Sequence, residues 1–306
     1  MSDQFDRTII KIPLIKHLAI WSKKLKVPGT DGLSFYRLFK IYVFGIIKGT
    51  FSTRASSIAF SFFIAIFPFL LFILNLIPFV TFIDNFQEEL LAFIDDLLPP
   101  QTSGFFNEIF YDIANNPRAG LLSFVFILSI FLMSNGVNAI LTSFEFSYHT
   151  KLNRSIFRQY LVAMGVAIII AILLLLTVII TIYLTYIIQD FKQLGVFIDE
   201  IYWIKMGRYA VLIGMLYIGL NVVYYFGTRE SRGNKFFSAG ALFTTILIIL
   251  TTILFSAYIE NFASYNKLYG SIGALLILLF YIWLNSNILL LGFELNASIY
   301  KLRRNN

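Results

Sequence analysis

An uncharged stretch near the N-terminus constrains the fold of this chain more than any other feature. Residues 55–82 contain no Asp, Glu, Lys or Arg, and about 20 apolar residues are enough to cross a bilayer as a helix. At 100° per residue, one narrow stripe of this helix carries Ser57, Ser61, Ile64, Pro68 and Asn75, most of which are polar or proline. Because lipid offers polar groups no hydrogen-bond partner, we expect this stripe to face other helices of a bundle.

The overall composition agrees with a membrane bundle. Hydrophobic residues make up 58% of the chain and charged residues 13%, whereas soluble domains are about 45–50% apolar and about 25% charged. The chain has no Cys and only two His, which excludes disulfides, thiolate catalysis and metal sites built on histidine. The net charge of +7 is explained by basic cytoplasmic loops, so no nucleic-acid partner is predicted.

Further apolar stretches follow the first one, so the sequence predicts an all-α polytopic membrane protein with six transmembrane helices plus interfacial amphipathic helices. Residues 1–53 form a cytoplasmic region without a secretory signal, in which 33–47 has the spacing of a helix lying on the membrane surface. Residues 54–300 form the membrane domain and 301–306 a cytoplasmic tail. The spans are predicted at about 55–82, 119–142, 161–187, 207–226, 236–259 and 271–298.

The distribution of basic residues predicts the orientation. Nineteen of the 24 Lys and Arg residues lie in residues 1–54, the loops after spans 2 and 4, and the tail. By the positive-inside rule both termini are cytoplasmic, and the chain resides in the plasma (inner) membrane. The acidic loop after span 1 then faces outward, and two amphipathic stripes within 84–113, separated by Pro99 and Pro100, lie over the outer end of the bundle.

Polar side chains within and beside the predicted spans are the candidate functional residues. Polar groups at membrane depth are costly unless paired, so they face protein or water. Each could instead make an ordinary interhelical hydrogen bond. The predicted substrate-binding set is Arg54, Ser57, Ser61, Pro68, Asn75, Asn135, Asn138, Glu145, Asn221, Asn285, Glu294 and Asn296.

Three charged members of this set are predicted to lie at the same depth. Arg54 begins span 1, while Glu145 and Glu294 lie where spans 2 and 6 end, so the three side chains can meet. One interpretation is a structural ion pair. The other is a carboxylate pair in which Arg54 holds an anionic lipid head group or acts as a proton-coupled gate.

The sequence offers little enzyme chemistry. It has no Walker loop, no G-x-S-x-G and no H-E-x-x-H motif, so no catalytic residue, cofactor or metal ligand is predicted. One alternative stays open, a magnesium site made only of carboxylates from Asp95, Asp96 and Asp112. Those acids also serve to keep amphipathic helices soluble.

Three stretches resemble the YihY/BrkB family. RASSIAFSFFIAIFPFLLFIL, from Arg54, is similar to its first span, and NGVNAILTSFEFSY, from Asn135, to its second. YGSIGALLILLFYIWLNSNILLLGFELNA, at 269–297, resembles the family's Y-G-S-x-G-A…L-L-x-G-x-E-x-N-A signature. The resemblance implies a six-span inner-membrane fold. The family has been labelled ribonuclease BN, but phosphodiester hydrolysis needs positioned metals or acid–base pairs, and these residues argue against it.

The sequence therefore predicts a carrier of a small solute or of a lipid or other amphiphile, with membrane lipids as partners. Its pathway is a polar cavity open to the cytoplasm and lined by spans 1, 2, 4 and 6. The alternative is a non-transporting envelope factor that binds lipid or a partner protein through the outer helices at 84–113. A membrane-attached nuclease is the least favoured reading.

Overall fold

The structure is a computed structural model that describes residues 34, 36, 50–76, 80, 83, 86–97, 122–147, 155–193, 200–227, 236–261 and 271–304. Most of the predicted surface helix at 33–47 and all of the stripe at 106–113 lie outside these residues, as do Asp112 and the side chains of Asn75, Asp95 and Asp96. The described helices are α1 (Phe51–Leu76), α2 (Phe86–Leu97), α3 (Leu122–Glu145), α4 (Ile156–Gln193), α5 (Glu200–Gly227), α6 (Ala239–Asn261) and α7 (Ser271–Arg304).

Six of these helices are long and apolar enough to cross a membrane, namely α1 and α3 to α7. The prediction of an all-α, six-span membrane protein is therefore confirmed. Helix α1 packs against α3 and α7, α4 packs against α3 and α5, and α6 packs against α5 and α7. The first and last spanning helices are thus neighbours.

The buried face of α1 differs from the predicted one. Ser57 is exposed, and Ile64 is 51% exposed, so the prediction that their stripe faces the bundle is wrong for these two residues. A serine hydroxyl in a helix can donate to the carbonyl one turn earlier, as Ser134 does to Ile130, and then needs no second helix. The face that packs inward is made of small and apolar residues: Ala55, Ile58, Ala59 and Ala65.

The amphipathic helix α2 packs onto the bundle beside α4. Phe86, Leu90 and Leu91 are buried, whereas Glu88 and Glu89 are exposed, as the alternation of apolar and acidic residues predicts. Helix α2 lies beside Arg208, near the start of α5. We name this the Arg208 end of the bundle, and the opposite end, where α1 begins and α7 finishes, the Arg54 end.

Glycines bring α6 and α7 into close contact. A Cβ added at Gly292 would lie 1.8 Å from Thr244 Oγ1 and 2.8 Å from the Gly240 carbonyl oxygen. The Tyr224 hydroxyl of α5 lies next to Gly292. It is 2.7 Å from Thr244 Oγ1 and donates to the Leu289 carbonyl at 2.7 Å. Small residues in membrane helices permit such close approach of two backbones.

The orientation of the bundle can be tested with single cysteines, because the natural chain has none. Ser155 and Thr181, which lies beside α2, are separated by about 39 Å along α4 at 1.5 Å per residue, more than the ~30 Å hydrocarbon core. We expect Glu88→Cys to react with a membrane-impermeant maleimide in intact cells, and Ser155→Cys to react only after permeabilisation. The reverse pattern would place the termini outside.

A second prediction concerns the contact between α6 and α7. Gly292→Ala should destabilise the fold by about 1–3 kcal/mol because the new methyl group overpacks the contact, lowering the thermal unfolding midpoint in detergent. Gly214→Ala is the matched control, since an added Cβ there meets nothing within 4 Å. Equal midpoints for the two variants would contradict the packing account.

Candidate functional site

A buried ion pair joins the first and last spanning helices. Arg54 Nη1 lies 2.9 Å from Glu294 Oε1, and the two side chains are 5% and 0% exposed. The two residues are 240 positions apart in the chain. Removing two charges from water is costly, so such a pair persists only with good mutual geometry. The structure thus brings the predicted charges Arg54 and Glu294 together.

Glu145 lies at the same end of the bundle. It is 6% exposed and follows Phe144, whose ring stacks on Phe293 with centroids 4.0 Å apart and planes at 2°. Phe293 precedes Glu294, so the carboxyl-bearing residues Glu145 and Glu294 occupy the same level. A head-group role for Arg54 would require its guanidinium to leave a buried carboxylate.

Two predicted asparagines form a cluster that caps α6. Ser238 precedes α6, and its hydroxyl accepts from Ala241 N at 3.2 Å, as an N-cap does. Asn221 Oδ1 accepts from Ser238 N at 2.8 Å, and Asn296 Oδ1 accepts from Gly240 N at 2.7 Å. Asn296 Nδ2 also donates to Ser238 Oγ at 3.0 Å. This capping cluster (Asn221, Ser238, Gly240 and Asn296) ties α5, α6 and α7 together.

Two other predicted asparagines lie in the contact between α3 and α4. Gln159 Nε2 donates to Thr142 Oγ1 at 2.6 Å and to Asn138 Oδ1 at 3.3 Å. The Tyr160 hydroxyl lies 3.1 Å from Asn135 Oδ1 and 2.5 Å from the Phe131 carbonyl. Like the capping cluster, these contacts are of the interhelical kind that the sequence left open.

A cavity of about 430 Å³ lies within the bundle. All seven described helices contribute to its lining, which is almost entirely apolar and includes Ile58, Phe62, Leu173, Leu216, Val223 and Leu289. Ligand cavities span about 300–1,000 Å³, so this one is far larger than a packing defect. We name it the apolar cavity.

Asn285 is the only member of the predicted set among the residues lining the apolar cavity. Its Nδ2 donates to the Tyr281 carbonyl at 2.9 Å. Its buried Oδ1 has no hydrogen-bond partner within the part of the chain that the structure describes. Asn285 is therefore one of a few polar residues, with Thr177, Tyr281 and Ser286, in a lining that is mostly apolar, in contrast to the polar cavity expected from the sequence.

Sequence reasoning missed most of the residues that shape this cavity. Gly219 lines it, and an added Cβ there meets nothing within 4 Å. Phe93 of α2 also reaches it. Apolar walls leave no polar signal in a sequence, whereas an isolated glycine in a span gives a weak one.

The family model described as virulence factor BrkB matches residues 46–306 of the chain. The chain belongs to that family. Its last-span signature now has a structural meaning: Gly292 permits close helix contact, Glu294 pairs with Arg54 and Asn296 caps α6.

The relatives of the chain are membrane proteins and a ribonuclease-like protein. The ribonuclease-like protein YfkH of Bacillus subtilis (strain 168) is 28% identical over 82% of this chain and 91% of its own length. A UPF0761 membrane protein of Psychrobacter sp. (strain PRwf-1) is 23% identical over 90% of this chain, which spans 50% of that relative. No solved structure gives a significant match.

The family is a membrane virulence-factor family and not a known enzyme family. Among the described residues, no group of three or more His, Cys, Asp or Glu side chains could hold a metal ion. The described residues therefore contain no metal site of the kind that the ribonuclease-like name of one relative would suggest.

Mutation of the ion pair has an expected thermodynamic signature. Arg54→Met or Glu294→Leu alone should each destabilise the protein by about 3–5 kcal/mol, because an uncompensated charge stays buried. The double variant removes both charges and should recover most of that loss. A thermal-unfolding double-mutant cycle in detergent measures the coupling, and simple additivity of the two losses would contradict a direct pair.

Proposed function

We propose that this protein binds the apolar part of a membrane amphiphile inside its bundle and carries that amphiphile between the two leaflets. The observation that supports this function best is the apolar cavity, about 430 Å³ lined by every described helix. A dry, fully packed bundle would have no such space.

The character of the lining favours an amphiphile over a small polar solute. A polar solute transferred to this cavity would lose its hydration and gain few hydrogen bonds, at a cost of several kcal/mol (about 2–7 per unpaired polar group). A hydrocarbon chain loses nothing comparable there. Asn285 provides one polar contact, which suits a ligand with a polar group partway along its length.

The position of the cavity supports movement across the bilayer. Its lining includes Phe93 of α2 near the Arg208 end and Ile140 of α3, five residues before Glu145 at the Arg54 end. Along α5 its lining runs from Leu212 to Val223, about 16 Å at 1.5 Å per residue. This is about half of the ~30 Å hydrocarbon core, so a ligand held there lies between the two ends of the bundle. Helix α2 contributes to this site from its inner face, so we favour this function over a role of α2 as a separate docking surface.

A cavity-filling variant tests the proposal. Gly219→Leu places a side chain into the apolar cavity, while Gly214→Leu adds the same side chain to the same helix at an exposed position with open space. Both variants gain similarly in helix propensity. The assay is exposure of head-group-labelled phosphatidylcholine to an impermeant quencher after reconstitution into vesicles.

We expect the natural chain and Gly214→Leu to expose inner-leaflet lipid at similar rates, and Gly219→Leu to be slower by about tenfold, since filling the site removes binding worth more than ~1.4 kcal/mol. If vesicles with the natural chain quench no faster than protein-free vesicles, the protein does not move this lipid. If Gly219→Leu retains full activity, the apolar cavity is not the pathway.

A further inference from the structure

A second cavity lies directly beside the apolar one, at the Arg208 end. It has a volume of about 320 Å³ and is formed by α2, α4 and α5. Phe93 and Leu212 belong to the linings of both cavities. The two spaces are therefore neighbours.

The second cavity differs from the first in its charge. Lys205 and Arg208, three residues apart on one face of α5, line it together with Tyr209. Among the described residues, Glu89 of α2 is the one acid in this lining. Glu89 and Lys205 are exposed, while Arg208 is half-buried. The lining thus carries more positive than negative charge close to a membrane interface.

Arg208 brings a half-buried guanidinium to this cavity. Its Nε has no hydrogen-bond acceptor among the residues that the structure describes. A charged side chain near membrane depth is expected to meet a partner. The planar guanidinium fits the oxygens of a phosphate group especially well.

The combined length of the two neighbouring cavities is close to that of one lipid leaflet. The part of their α5 lining from Arg208 to Val223 spans about 22 Å at 1.5 Å per residue. Half of a bilayer, head groups included, is about 20–22 Å. A cationic pocket at one end and an apolar channel along the rest have the form of a site for a lipid with an anionic head.

We propose that the ligand of this protein is a lipid with a phosphate-bearing, net anionic head group, held by Arg208 and Lys205, with an acyl chain in the apolar cavity. This assignment rests on the proposed function and adds the substrate class. It also moves the head-group contact from Arg54, where the sequence suggested it, to the opposite end of the bundle.

The test compares lipids that share acyl chains and differ in head group. Binding of phosphatidylglycerol and of phosphatidylcholine to the full-length chain in detergent is measured by native mass spectrometry. We expect the natural chain to prefer phosphatidylglycerol about tenfold, as one charge-assisted contact allows. Arg208→Gln and Lys205→Gln should each reduce that preference, and Arg158→Gln, an exposed cation at the start of α4, should leave it unchanged.

The outcomes separate the two proposals. If Gly219→Leu weakens both lipids but Arg208→Gln leaves their ratio unchanged, the apolar cavity binds lipid and the head-group assignment is overturned. If Gly219→Leu affects neither lipid, the proposed function itself fails. A preference that falls as salt is raised supports the cationic site without any variant, and inorganic phosphate that binds Arg208 as tightly as the lipid would identify a free-anion site instead.

Discussion

The Arg54–Glu294 pair joins the first and last spanning helices. It reflects a constraint that applies to every polar group in the bundle. Within a bilayer no water is available to satisfy a polar group, so each one must find its partner inside the protein. A single stretch of α7 meets this constraint twice. Glu294 pairs with Arg54 of α1, and Asn296 accepts a hydrogen bond from the Gly240 amide at the start of α6. Gly292, in the same stretch, allows α6 to approach closely. The last helix thereby fastens α1 and α6, and through the capping cluster α5 as well.

Hydropathy and position along the chain were enough to predict the six spans and the meeting of Arg54 with Glu294. Both predictions depend on the depth of each residue in the membrane, which follows from its position within an apolar stretch. The rotation of each helix about its axis, which decides the face that packs inward, is not given by that position. The face of α1 was mispredicted because a serine can satisfy its hydroxyl within its own helix, so Ser57 carries no information about neighbours. The partner of Asn296 is the backbone amide of Gly240 at the start of a helix. Such a partner cannot be recognised from the type of any side chain in the sequence.

The apolar cavity could not be predicted from the sequence either. An apolar residue beside a void and one inside a packed core look identical in sequence, because both are simply kept from water. Glycine illustrates this well. Gly292 is required because atoms of α5 and α6 crowd its α-carbon, whereas Gly219 leaves open space next to it. A glycine in a spanning helix thus permits close helix contact at one position and leaves open space at another. The three-dimensional structure is needed to tell the two cases apart.

The two ends of the bundle place their charged side chains in different surroundings. At the Arg54 end the charge and the amides of the capping cluster have partners supplied by the chain itself, and each contact joins different helices. At the Arg208 end two cations, Lys205 and Arg208, line a cavity that shares Phe93 and Leu212 with the apolar cavity. Cations without an ion-pair partner in the described part of the chain and an apolar space beside them are the two observations on which the proposed anionic lipid rests. The proposal therefore extends to a ligand the requirement that the Arg54–Glu294 pair meets within the chain, namely that a charge at membrane depth has a partner.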